Sequence, residues 1–227
     1  MHKRPTPIIW ALAALTMLTS TAQGDEGELQ EVPEAKGDAL QMQTIEYRGG
    51  TNGRMIIEVQ NRGTIAQDFQ AEGLYFVPSG DPENAPQRLG AAGPFELMDG
   101  DKATGRPIDR VSVPARKSLR LALHVFCIDS HRSSPSSATS FTAAKDRLPK
   151  KLRGKIGLEA KKIMRHNHNR MNGRAKSDIQ SHIWRTRDAD WVELEGERAQ
   201  EKKPRSNPAN TPHRPRRSPL RTPRRNR

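Results

Sequence analysis

One run decides most of what this chain can fold into. Leu119 to Ile128 (LRLALHVFCI) alternates its side chains at a period of two. Leu119, Leu121, Leu123, Val125 and Cys127 share one face of an extended strand. Arg120, Ala122, His124, Phe126 and Ile128 share the other, which turns apolar toward its end. Shorter runs of the same kind precede it, each closed by a turn signal. Met55 to Val59 stops at Asn61-Arg62-Gly63, and the run from Gly73 to Pro78, preceded by Phe69, stops at Pro-Ser-Gly-Asp-Pro. Phe95 to Met98 stops at Asp99-Gly100, and Arg110 to Pro114 follows. No helical period lies between these runs. The pattern predicts an antiparallel, immunoglobulin-like β-sandwich over residues 43–129. A core of about 90 residues can fold alone with a thin stability margin.

The flanks read differently. Residues 23–42 are acidic, poor in large apolar side chains, and expected to be a flexible lead-in. Residues 130–198 are read as a helical extension. A polar Ser/Pro loop opens it. One or two short helices are then expected within 143–163, with Pro149 near a helix start, where its missing N–H costs nothing. Residues 164–174 are polar and turn-rich. Ser177 reads as the N-cap of a further helix carrying Ile179, Ile183 and Trp184, with Asp178 in its first turn. Trp191, Val192 and Leu194 form a last apolar patch.

Charge is unevenly placed. The 227 residues carry a net +13, but residues 201–227 hold ten Lys/Arg against Glu201 alone. Lys3 and Arg4 add two more, so residues 23–200 sum to only +2. The basic segment, with six prolines and no aromatic residue, cannot offset the entropy of ordering. Residues 199–227 are therefore expected to be a disordered Pro/Arg-rich tail. Such a tail attracts polyanions in a salt-dependent way through Arg214, Arg216, Arg217, Arg221, Arg224, Arg225 and Arg227. At the N-terminus, basic MHKR, a mostly apolar 12-residue stretch from Ile8 to Thr19, and small Ser20-Thr21-Ala22 read as a signal peptide over residues 1–22. Cleavage is expected near Ala22, giving a secreted, periplasmic or extracellular chain. The expected polyanions are then lipopolysaccharide, teichoic acid, acidic polysaccharide or released nucleic acid. No second apolar run of spanning length follows.

Cys127 is the only cysteine, so no disulfide can form within the chain. It sits in Phe126-Cys127-Ile128-Asp129 at a strand end, and Ile179-Gln180-Ser181-His182-Ile183-Trp184 lies at a helix start. This pair of motifs resembles the thioester domains of Gram-positive surface adhesins. The chain is also similar to a broader set of bacterial secreted modules with a strand ending in Phe-Cys-Ile-Asp. The adhesin resemblance implies that the Cys127 thiol and the Gln180 carboxamide condense into an internal thioester, an electrophile for surface amines. It further implies that Trp184 shields the bond, with Ile183 and His182 in support. A thiolate needs a nearby base, and His124, His131 or His182 could supply it. The residues themselves leave a second reading open: Cys127 as a small core residue on the buried face of its strand, with Gln180 an ordinary helix residue and Trp184 a core anchor.

Other chemistry finds little support. His166 and His168 flank Asn167 without a third ligand at metal-site spacing, so no metal or cofactor is expected. Ser133, Ser134, Ser136 and Ser137 have no base partner, and neither a nucleophile elbow nor a nucleotide fingerprint is present. The expectation is a non-enzymatic binding or structural protein of the bacterial envelope or exterior. The alternative is a polyanion-binding protein acting through its tail.

Overall fold

The computed structural model describes residues 28–35 and 39–198. The expected signal peptide, the expected disordered tail and parts of the expected lead-in lie outside the described residues. Among the described residues, ten strands and two helices follow in order. The strands are β1 (Gln30–Glu31), β2 (Leu40–Gly49), β3 (Asn52–Asn61), β4 (Gln67–Phe69) and β5 (Tyr75–Pro78), then β6 (Leu89–Asp99), β7 (Lys102–Ala103), β8 (Val111–Val113), β9 (Ser118–Cys127) and β10 (Phe141–Ala143). The helices are α1 (Lys150–His166) and α2 (Gly173–Ala189).

The fold is mainly antiparallel β, with the helices following the sheet in sequence. Its main sheet runs β1-β2-β3-β9-β6-β5-β10, with β7 on β6, while β4 and β8 pair separately. The long alternating strand β9 lies at the centre, between β3 and β6. The sheet curls until its two margins meet. Thr44 Oγ1 on β2 donates to the Phe141 carbonyl on β10 at 2.6 Å, and Gln30 Nε2 donates to the Ala143 carbonyl at 3.0 Å. Tyr47 meets Phe141 edge to face, centroids 5.3 Å apart. The facing layers expected of a sandwich are thus made largely by one sheet folding onto itself. The β4–β8 pair contributes Phe69, in edge contact with Phe95.

Alternation along β9 sorts its side chains into two cores. Leu121, Leu123, Val125 and Cys127 fill the core inside the curl with Met42, Ile57 and Phe76. Phe126 and Ile128 face outward, under Leu148, Leu152, Ile156, Ile179 and Ile183 of the helical layer. α1 buries Leu152, Ile156, Ala160 and Met164, a four-residue repeat that brings one face of the helix onto the sheet.

Three boundaries differ from those read in the sequence. The sheet begins within the expected lead-in, because β1 pairs with β2 and Val32, Leu40 and Met42 are buried. It also takes β10 from the expected helical extension, since β5 has an open edge that Phe141–Ala143 satisfies. Helix α2 starts before Ser177: Asn172 is the N-cap, its Oδ1 accepting from the Ala175 N–H at 2.9 Å. Pro149 does sit at the N-cap of α1.

Candidate functional site

The end of β9 and the middle of α2 meet at one point. Cys127 and Gln180, 53 positions apart, are both buried there, with Gln180 only 4% exposed. The Gln180 carboxamide lies against the Cys127 backbone. Its Oε1 accepts from the Cys127 N–H at 3.0 Å, and its Nε2 donates to the Cys127 carbonyl at 2.7 Å. The same N–H also reaches the Thr51 carbonyl at 3.1 Å, just before β3 begins. Gln180 therefore extends the sheet's hydrogen bonding where the ladder runs out, as a buried amide must.

The Cys127 thiol itself is wholly buried in the inner core. Burial, with a smaller contribution from the Asp129 carboxylate, pushes its pKa up to about 12. It is a protonated thiol at neutral pH.

The residues expected to support it are spread around this contact. Ile183 is buried in the outer core against the helix layer. Trp184 packs against the inner core and donates through Nε1 to Gln87 Oε1 at 3.2 Å. His182 Nε2 lies 3.1 Å from Thr186 Oγ1 along its own helix. Of the other histidines offered as a base, His131 lies against Trp191, with ring centroids 5.8 Å apart. His124 is buried on the outer face of β9, with Nε2 3.0 Å from Glu96 Oε1. Its pKa is lowered to about 4, first by burial, and also by Lys176 and Arg54 against the opposing pull of Glu96. Neutral His124 thus donates to Glu96, which also accepts from Arg54 and from the Gly105 N–H. His166 Nδ1 lies 2.8 Å from the Lys162 carbonyl. Among the described residues no group of three or more His, Cys, Asp or Glu is arranged to hold a metal ion.

Sequence reasoning missed the charged frame next to the pair. Asp129, the last residue of the Phe-Cys-Ile-Asp motif, forms a two-pronged ion pair with Arg88, and both side chains are wholly buried. Arg88 Nε meets Asp129 Oδ2 at 2.8 Å and Nη2 meets Oδ1 at 2.6 Å, while the Arg88 backbone N–H donates to Oδ2 at 3.1 Å. Arg88 Nη1 then donates to the Leu194 and Glu195 carbonyls and pairs with Glu197. Burial alone would lower the Arg88 pKa, but Asp129 and Glu197 outweigh it and raise the value. Arg187 also approaches Glu197, at 3.6 Å, and lies 4.0 Å over the Trp191 ring. Nothing in the local pattern Gln87-Arg88-Leu89 marks Arg88 for burial; only the neighbouring strand and the returning chain do so.

Fold and site together define a curled antiparallel sheet, roofed by two helices, that buries a Cys–Gln contact beside an Arg–Asp pair. No protein-family model, no curated protein and no solved structure matches this chain.

Proposed function

We propose that this chain is an exported, non-enzymatic binding or structural protein of the bacterial envelope or exterior, in which Cys127 and Gln180 condense into an internal thioester that attaches it to amine-bearing surfaces. The observation that carries this reading is the buried contact between the two residues, with the Cys127 N–H donating to Gln180 Oε1 at 3.0 Å. A donor on that oxygen draws electron density from Cδ, the atom a thiol must attack. In the condensation Cys127 Sγ bonds to Gln180 Cδ and the Cδ–Nε2 bond breaks. Nε2 leaves as ammonia, taking up the thiol proton. The Nε2 hydrogen bond to the Cys127 carbonyl belongs to the uncondensed pair and is lost with the leaving group. Burial favours the product by keeping water from it.

The same two hydrogen bonds favour a second reading. In it Gln180 is a clamp between α2 and the end of β9, and Cys127 is a core residue. The raised thiol pKa sits with the clamp, since the thiolate is the nucleophile. Intact mass of freshly purified protein separates the two, with a Cys127→Ala control. The thioester is supported by a species lighter by one ammonia, converted to an adduct by methylamine and absent from the control. Full mass in every preparation, with a slowly reacting thiol, refutes it and leaves the clamp.

A further inference from the structure

The near-neutral sum over residues 23–200 conceals a strongly basic block inside the folded body. Residues 150–176, which make α1 and its turn into α2, hold ten Lys/Arg against Glu159 alone. Folding arranges them. Lys151, Lys155, Leu158, Lys162 and Arg165 follow one another at four- and three-residue steps along α1, and all five are exposed. At 1.5 Å per residue this stripe runs about 21 Å. Exposed Lys150 lies before it, and exposed Arg170 and Arg174 continue the basic surface beyond the helix. The opposite face of α1 is buried in the outer core, so the stripe is the helix's solvent side.

Along the stripe two carboxylates answer these cations: Asp190 takes both Lys151 and Lys155, and Glu159 lies 3.3 Å from Lys162. Off the stripe, Arg153 pairs with Glu34 and Lys161 with Glu72 and Asp109. Exposed pairs of this kind are weak and leave a net positive field. In the middle of the stripe stands Leu158, 56% exposed, one of two large apolar side chains so exposed among the described residues.

We infer that this face of α1 docks on the phosphate headgroups of an anionic phospholipid bilayer. Charge complementarity supplies the attraction, and Leu158 selects the occupant. Against a soluble phosphate polymer, an apolar side chain between lysines touches nothing it favours. At a bilayer surface it enters the boundary between headgroups and acyl chains, while the lysine stems lie along that boundary with their ammonium groups outward. Each basic residue near such a surface strengthens binding about fivefold.

Sedimentation with phosphatidylglycerol and phosphatidylcholine vesicles tests this on the full-length chain, whose own basic tail is then common to every variant. Lys162→Gln/Arg165→Gln/Arg170→Gln should weaken binding to phosphatidylglycerol vesicles about a hundredfold. Leu158→Ala should weaken it several-fold while leaving binding to soluble polyphosphate unchanged. These side chains are exposed, so the thermal midpoint should hold; a triple variant whose midpoint falls is replaced by its single Gln substitutions, each expected to weaken binding about fivefold, and Leu158→Ala by Leu158→Gln. Unchanged vesicle binding by the triple variant overturns the inference and leaves the tail as the basic element at work. Equal losses on vesicles and polyphosphate, with no effect of Leu158→Ala, overturn it in favour of a soluble polyanion. Equal binding to phosphatidylcholine overturns it as well.

Discussion

Replacing Gln180 by alanine removes two hydrogen bonds from the end of the sheet's central strand. The Cys127 N–H keeps its contact with the Thr51 carbonyl at 3.1 Å, so the loss falls mainly on the Cys127 carbonyl, which Nε2 reaches at 2.7 Å. Two buried hydrogen bonds, at about 1 kcal/mol each plus part of the penalty for a stranded acceptor, put the cost at about 2–3 kcal/mol. Equilibrium urea unfolding reads this as a lower midpoint at unchanged slope. A thioester would make the loss larger, because the cross-link closes a loop of 53 positions in the unfolded chain. On the chain-entropy argument used for disulfides that adds about 4 kcal/mol, which prior treatment of the wild type with methylamine would abolish. Gln180→Glu sharpens the test. A carboxylate there can accept from the Cys127 N–H but faces the Cys127 carbonyl, so the folded state favours the protonated acid. Its folded pKa is raised, the variant approaches the wild type near pH 4, and it loses stability relative to the wild type as pH rises. A Gln180→Ala cost below about 0.5 kcal/mol, or a Gln180→Glu difference independent of pH, would refute the clamp geometry.

Two further outcomes follow from buried charge. His124 is held neutral with a pKa near 4, below its unfolded value of 6.5, so the unfolded chain binds the extra proton between these values. Stability should fall as pH drops from about 6.5 toward 4, and His124→Gln should flatten that part of the urea-midpoint profile; an unchanged profile would show that another group sets it. Asp129→Ala leaves the Arg88 guanidinium without its two-pronged partner and should cost about 3 kcal/mol, while Arg88→Met/Asp129→Leu together should cost less. Equal costs for the single and double variants in urea unfolding would mean that packing, not charge, dominates there.

Much of the fold is legible because it is local. The period-two run of β9 declares a strand with two different faces; Arg120 is exposed, and from Leu121 onward both faces are buried. The apolar repeat of α1 and the placement of Pro149 are likewise written in neighbouring residues. Elements too short to carry a period are not legible. β1 and β10 hold two and three residues, and they are strands only because the edges of β2 and β5 take them as partners. The start of α2 illustrates a tie between caps: Asn172 and Ser177 are both good N-caps, and the full burial of Ala175 inside the helix decides for the earlier one.

The site divides in the same way. Residue patterns put Cys127 on a strand end and Gln180 on a helix, while their pairing was only what the resemblance to thioester domains implied. Only the tertiary structure decides that they touch through the Cys127 peptide, that the thiol is sealed in the inner core, and that Asp129 is taken by Arg88. The physical reason is that hydrogen-bond partners and desolvation depend on which distant segment arrives. The spacing of basic residues along α1 is written in the sequence, but their gathering on one exposed face around Leu158 is not. The chain alone determined a two-faced strand with Cys127 at its end and a helix carrying Gln180; the curl of the sheet and the seating of the helices decided what each side chain faces.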